Sequence, residues 1–127
     1  MDYARARHYL LNKPEAYEDF PFGPDTAVYK VKGKMFASLS SRKMPRRESA
    51  TTNMNLKCDP NEAFMLRDIF DAVIPGYHMN KRLWNTIIFD HSIPPTEIER
   101  MIDNSYALVI AKLPKQMRMT LSWAGPG

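Results

Sequence analysis

The chain has 127 residues, the length of one ordinary domain, and it is 44% hydrophobic and 25% charged. A chain of this size buries roughly two thirds of its unfolded surface, and this composition excludes disordered, collagen-like and membrane-spanning classes. The net charge of +4 is too small to indicate a partner. Because Cys58 is the single cysteine, neither an internal disulfide nor a thiolate zinc site is possible.

The first half of the chain predicts one helix followed by antiparallel strands. Asp2 can cap a short helix that ends before Pro14. From Ala27 onward apolar residues alternate with polar ones, which predicts a hairpin with its turn at Lys32-Gly33. A third strand with the same alternation is predicted around residues 52–56.

The second half predicts two helices on either side of one strand. A helix capped by Asp59 is predicted to extend to Pro75-Gly76, and residues 83–89 form a strongly apolar strand. A helix that opens at Pro94 is expected to break or recap at residues 103–105.

This order of elements predicts an α+β fold with two layers, in which helices cover one face of an antiparallel sheet. We expect residues 1–118 to form a single domain and residues 119–127 to form a C-terminal tail. The charged N-terminus predicts no signal peptide, and the apolar runs are too short for a membrane span. These features together favour a cytoplasmic location.

The positive charge is concentrated in one part of the chain. Residues 26–58 contain eight basic residues and one acidic residue, a net charge of +7. Half of these basic residues lie in one predicted loop between strands: Arg42, Lys43, Arg46 and Arg47. Such a loop has the layout of a wing, a projecting segment that contacts a nucleic-acid backbone. A solubilising hairpin tip explains the same charges equally well.

A second candidate site is the polar and aromatic stretch at residues 77–84. Read functionally, His78 could be a general base, while Lys81 and Arg82 could hold a phosphate. Tyr77 and Trp84 could stack on a ring. Read structurally, Asn80 ties the loop backbone, Trp84 packs in the core, and the cations are solvated.

Standard enzyme signatures are absent from the sequence, which contains no Walker loop, GxGxxG, HExxH or GxSxG motif. The three histidines lie far apart and lack a ligand spacing, so we expect no metal site and no cofactor. Cys58 precedes a helix start, where a lowered thiol pKa is conceivable, but a buried structural cysteine is favoured. The sequence therefore favours a binding module and leaves enzymatic activity open.

Several blocks of the sequence form a pattern in a fixed order: 19–25 (DFPFGPD), 28–31 (VYKV), 33–37 (GKMFA), 56–60 (LKCDP), 75–81 (PGYHMNK), 84–86 (WNT), 105–106 (SY) and 112–114 (KLP). In this order they resemble the MmcQ/YjbR family of small bacterial proteins. The resemblance implies a CyaY-like α+β fold, similar in architecture to frataxin, and a DNA-binding role through a double-wing arrangement. It brings no catalytic residues with it, and the sparse acidic residues at 15–25 argue against frataxin-like iron binding. The connection at 42–49 is longer and more basic than the family pattern.

The leading hypothesis is a non-enzymatic module that binds duplex DNA through its phosphate backbone. The contacts would come from Arg42, Lys43, Arg46, Arg47, Lys81 and Arg82. The alternative is a small-molecule or protein-binding domain whose site comprises Tyr77, His78, Asn80, Lys81 and Trp84. The sequence predicts no oligomeric state.

Overall fold

The computed structural model describes residues 1–121. Most of the predicted tail, residues 122–127, lies outside the described residues, while its first residue belongs to a short last helix. The four helices described are α1 (Tyr3–Leu11), α2 (Pro60–Ile69), α3 (Pro95–Ala111) and α4 (Lys115–Met119). The six strands described are β1 (Tyr17–Asp19), β2 (Thr26–Val31), β3 (Lys34–Lys43), β4 (Ala50–Lys57), β5 (Val73–Pro75) and β6 (Trp84–Ile88).

All six strands form one antiparallel sheet in the order β1-β2-β3-β4-β6-β5. Helices α1 and α3 pack against the central strands, and α2 contacts β5 and lies beside α3. We call this covered side the helical face and the other side the open face. The predicted two-layer α+β fold is confirmed.

The local signals that predicted the first elements act as expected. The Asp2 carboxylate accepts a hydrogen bond from the amide of Arg5 at 2.8 Å and caps α1. The Asp59 carboxylate caps α2 in the same way by accepting from the amide of Asn61 at 3.0 Å. Between β2 and β3, Lys32 and Gly33 have φ values of 50° and 80°, which a tight two-residue hairpin requires.

Two predicted helix boundaries were wrong. Helix α2 ends at Ile69, and the residues before Pro75 form the edge strand β5. Helix α3 continues through residues 103–105 without a break. The short strand β1 was not predicted.

The core lies between the sheet and α3. Phe36 and Tyr106 meet edge to face, with ring centroids 5.2 Å apart, and both are buried. The Tyr106 hydroxyl donates a hydrogen bond to the carbonyl oxygen of Pro14 at 2.7 Å. The hydroxyl of Ser105 donates to the carbonyl oxygen of Phe36 at 2.6 Å and accepts from the amide of Lys57 at 2.9 Å. Side chains of α3 therefore fix where β3 begins and β4 ends.

Candidate ligand-binding site

A cavity of about 300 Å³ lies on the open face of the sheet, and we call it the sheet-face pocket. Its lining comes from the central strands, from the segment before β2 and from the loop before β6. The lining residues are Phe22, Thr26, Met35, Ser38, Ser40, Arg42, Met44, Asn53, Asn55, Tyr77, His78, Met79 and Thr86. The pocket therefore brings together residues from both predicted sites.

The floor of the pocket is a hydrogen-bonded row of polar side chains. Ser38, Asn55 and Thr86 are directly paired residues on β3, β4 and β6. The Asn55 amide donates to the Ser38 hydroxyl at 3.1 Å, and the Thr86 hydroxyl donates to the Asn55 side-chain oxygen. The amide of Tyr77 donates to the Thr86 hydroxyl at 2.8 Å. This row connects three strands to the loop that forms one wall.

Asn53 holds the neighbouring part of the floor. Its buried side-chain amide donates to the carbonyl oxygens of Arg42 at 3.1 Å and Thr51 at 2.9 Å. The Thr51 hydroxyl donates to the side-chain oxygen of Asn53 at 3.1 Å. Asn53 is thus fully engaged by the protein, and it braces the strand that carries Arg42.

Arg42 supplies the positive charge of the pocket. Its guanidinium donates to the Thr26 hydroxyl at 3.1 Å. Within residues 1–121 no carboxylate lies within 4.0 Å of it, and the described lining of the pocket contains no Asp or Glu. A guanidinium in this position keeps free N–H donors for an anion.

The loop at residues 76–83 forms the aromatic wall because its backbone closes tightly on β6. The amide of Gly76 donates to the carbonyl oxygen of Trp84 at 2.9 Å, and a Cβ on Gly76 would lie 2.8 Å from the Cβ of Trp84. His78 takes the left-handed conformation with φ of 60°. The rings of Tyr77 and His78 then contact each other with centroids 4.2 Å apart and planes tilted by 51°.

Other residues of this loop stabilise its backbone. The Asn80 side-chain oxygen accepts from the amide of Arg82 at 3.0 Å, as the structural interpretation expected. The Lys81 ammonium donates to the carbonyl oxygen of Gly76 at 2.9 Å. Trp84 is half-buried at the start of β6, opposite Lys57. The predicted site at 77–84 is therefore divided: Tyr77 and His78 line the pocket, while Asn80, Lys81 and Trp84 do not.

Arg67 on α2 was missed as a positioning residue for this loop. Its guanidinium donates to the buried Asn85 side-chain oxygen at 2.7 Å and to the carbonyl oxygen of Trp84 at 3.3 Å. It also donates to the carbonyl oxygen of Lys81. The signal was present in the sequence, because Arg67 shares the stripe of Ala63 and Leu66 that packs inward.

The basic stretch does not form a loose loop hanging from the sheet. Arg42 and Lys43 belong to β3, and the side chain of Met44 is buried in the core. Arg47 forms an ion pair with Asp90 at 3.2 Å. Lys43 and Arg46 remain exposed, and Arg46 has φ of 64°. The turn is anchored on both sides, which corrects the expectation that all four basic residues lie in one projecting loop.

Cys58 is buried, as predicted for a structural cysteine. The residue is 8% exposed, and burial, followed by the charge of Glu62, raises the pKa of its thiol to about 11. The described residues contain no group of three or more metal-ligating His, Cys, Asp or Glu side chains. Within the same residues no helix is long and apolar enough to cross a membrane.

The fold and the pocket define a small α+β domain with a cavity of mixed polar and apolar lining on the open face of its sheet. A model of the YjbR family matches residues 11–108. The chain is 31% identical over 111 residues to YbdF of Escherichia coli O157:H7, covering 87% of this chain and 86% of YbdF. It is 28% identical over 121 residues to YjbR of Escherichia coli K12, covering 95% and 98%. The chain belongs to the YjbR family, which confirms the resemblance found in the sequence.

Solved structures support the same assignment. The Deinococcus radiodurans protein DR2400, which carries a DUF419 domain, matches with a TM-score of 0.82 at 30% identity, covering 93% of this chain and 86% of DR2400. A protein from Pseudomonas syringae matches with a TM-score of 0.77 at 27% identity, covering 85% of this chain and 98% of that protein.

Proposed function

We propose that the protein binds a small anionic ligand with a planar ring in the sheet-face pocket. The observation that carries this proposal is the placement of Arg42 in a described lining that has no carboxylate. Such a lining attracts an anion and disfavours a cationic ligand. This proposal extends the alternative hypothesis from the sequence, a ligand site at residues 77–84, because Arg42 lines the same pocket as Tyr77 and His78.

The guanidinium of Arg42 defines the anionic end of the ligand. Its planar fork of donors matches a carboxylate or a phosphate with two parallel hydrogen bonds. One donor is already held by Thr26, which reduces the side-chain freedom that binding would otherwise cost.

The aromatic wall defines the rest of the ligand. Tyr77 and His78 present two rings in contact, and Phe22 lines the pocket with 76% of its surface exposed. An exposed phenylalanine beside a pocket gains stability when a ring covers it. The Ser38 and Ser40 hydroxyls on the floor would orient polar atoms of that ring.

A thermal-shift screen with small compounds tests the proposal. Aromatic carboxylates and phosphates are compared with neutral and cationic compounds of the same size. We expect anionic hits that Arg42→Gln weakens about tenfold, the value of one charge-assisted hydrogen bond. His78→Ala should weaken the same hits, and Lys43→Gln serves as the control because it removes an exposed neighbouring charge.

Two results would contradict the proposal. One is a set of hits that Arg42→Gln leaves unchanged while the variant remains folded. The other is a preference for cationic compounds over their anionic counterparts.

Duplex DNA binding by the β3–β4 hairpin is a second candidate function. β2 pairs with β3 only as far as Ser40, and β6 pairs with β4 only as far as Asn53, so the hairpin tip projects beyond both neighbours. Lys43 and Arg46 are exposed on this tip and could contact phosphates. Two such contacts predict a log–log salt slope of about −1.8.

Whether Lys81 and Arg82 also contact DNA is tested separately, because they lie far from the hairpin tip. The loop that holds it leads into β6 at Trp84, opposite Lys57, while the hairpin tip lies at the other end of β4, about 23 Å away along the strand. Fluorescence anisotropy with a DNA duplex would compare a Lys43→Glu/Arg46→Glu variant with a Lys81→Glu/Arg82→Glu variant. Loss of salt-dependent binding only in the first variant is expected, and equal binding by both variants and the unaltered protein would exclude this role.

A further inference from the structure

Three lysine side chains converge at the end of the sheet opposite the hairpin tip. Lys34 opens β3, Lys57 ends β4 and Lys112 follows α3. Together with Met35, Val109 and Leu113 they line a depression of about 300 Å³. We call Lys34, Lys57 and Lys112 the lysine cluster.

Among the described residues, no carboxylate lies within 4.0 Å of any ammonium group in the lysine cluster. Two nearby lysines of the β2–β3 hairpin do form ion pairs: Lys30 with Asp19 at 3.0 Å and Lys32 with Glu15 at 3.1 Å. The described lining of the depression also contains no acidic side chain. The cluster is therefore a concentration of positive charge that the described part of the protein does not balance.

Two of these cations face each other. Burial, and then the charge of Lys112, lower the pKa of Lys57 below its usual value. The backbone of Lys57 is fixed by the hydrogen bond from its amide to Ser105, so it is tied to the core beneath α3. Holding like charges together costs free energy, and an anion placed between them would offset this cost.

We propose that the lysine cluster is a binding site for a phosphoryl group. Lysine ammonium groups act as separate point donors, and three of them around one depression suit a tetrahedral dianion with several oxygens. The apolar walls formed by Met35, Val109 and Leu113 limit water around the anion and strengthen its attraction to the cations.

This site lies next to the sheet-face pocket. Met35, near the start of β3, lines both cavities, but the depression is walled by Val109 of α3 on the helical side while the sheet-face pocket lies on the open face. The phosphoryl group can come from free phosphate or from a phosphorylated ring compound. The proposal does not require the sheet-face pocket to bind a ligand.

The test is an NMR titration of the full chain with inorganic phosphate at constant ionic strength, with chloride as the balancing anion. We expect saturable shifts at Lys34, Lys57 and Lys112 and a rise in the pKa of Lys57. Lys112→Gln should weaken binding about tenfold, and Lys57→Arg, which keeps the charge, should retain most of it. The control is Lys115→Gln, which removes an exposed lysine on α4 outside the depression.

Non-saturable shifts, or equal weakening by Lys112→Gln and Lys115→Gln, would overturn the proposal. A parallel titration with phenyl phosphate distinguishes the two sources. If phenyl phosphate binds more tightly than inorganic phosphate, and Tyr77→Ala removes this difference, the natural ligand is a phosphorylated ring compound. If the two compounds bind equally, the ligand is free phosphate. Arg42→Gln should leave the phosphate-dependent shifts at Lys34, Lys57 and Lys112 unchanged, because Arg42 does not line the depression. This site and the sheet-face pocket can therefore fail independently.

Discussion

Thr86 on β6 donates its hydroxyl hydrogen to the side-chain oxygen of Asn55 on β4, directly across the strand pair. The same hydroxyl accepts the amide of Tyr77, so one oxygen atom joins the sheet to the wall of the pocket. The side-chain oxygen of Asn55 and the backbone amide of Tyr77 would both lose this partner if the Thr86 hydroxyl were removed. The relationship makes Thr86 the most direct test of how the pocket is held.

Replacing Thr86 by valine should destabilise the protein by about 1–3 kcal/mol, because it leaves buried polar groups unpaired at nearly unchanged volume. Urea denaturation measures the loss. Thr52→Val is the control, since the Thr52 hydroxyl makes no hydrogen bond to the described residues. Equal effects of the two substitutions would contradict the role assigned to Thr86.

Replacing Arg67 by methionine should loosen the loop at residues 76–83 while leaving α2 intact. The substitution removes the donor to Asn85 and to the carbonyl oxygen of Trp84, a loss of about 2 kcal/mol. Faster hydrogen exchange at the amide of Tyr77 is the expected observation. Arg118→Met on α4 is the matched control, and exchange that is no faster than in this control would show that Arg67 does not position the loop.

Glu18 should make stability depend on acid pH. Its hydrogen bond from Arg7, at 2.8 Å, lowers the pKa of the carboxyl below 4.5, with the hydroxyl of Tyr29 as a further donor. The folded state therefore binds this proton less readily than the unfolded chain, so its contribution is present above pH 4.5 and is lost as the pH falls through the lowered pKa. Urea unfolding of the unaltered protein and of Glu18→Gln should differ at pH 7 and converge at acid pH, once the pH lies below the lowered pKa of Glu18. A difference that stays constant with pH would be evidence against the ion pair.

Cys58 should react slowly while the protein is folded. With its pKa raised to about 11, the thiol carries about a hundredfold less thiolate at pH 8 than one with the ordinary value of 9.0. A disulfide reagent such as DTNB should therefore label the urea-unfolded chain much faster than the folded one. The folded rate should rise with pH toward 11. Rapid labelling of the folded protein at pH 8 would indicate an activated thiol, and Cys58→Ser supplies the blank.

Elements governed by neighbouring residues could be predicted from the sequence. The turn at Lys32-Gly33 and the capped start of α2 depend on local backbone preferences, which the residue types reveal. The continuity of α3 could not be predicted, because Asp103, Asn104 and Ser105 favour a break by local preference. In the fold their side chains form hydrogen bonds with other elements: Asp103 with Tyr9, Asn104 with Glu62, and Ser105 with the carbonyl oxygen of Phe36.

The pocket was only partly predictable for a related reason. Tyr77 and His78 stood out as chemical groups, whereas Ser38, Asn55 and Thr86 resembled the solvent face of an ordinary strand. Their burial depends on a loop that folds back over the sheet, and that path is set by Gly76 and Arg67. Contacts between distant segments carry no local signal in the sequence.

The two edge strands of the sheet, β1 and β5, have three residues each, while the long strands β3 and β4 lie inside. An edge this short offers few free backbone groups to another chain, and Pro75 removes one donor from β5. Where Ser38, Asn55 and Thr86 lie, each of their strands is paired on both sides, so the backbone groups there are kept from intermolecular pairing. The floor of the pocket therefore rests on a part of the sheet that a neighbouring molecule cannot extend.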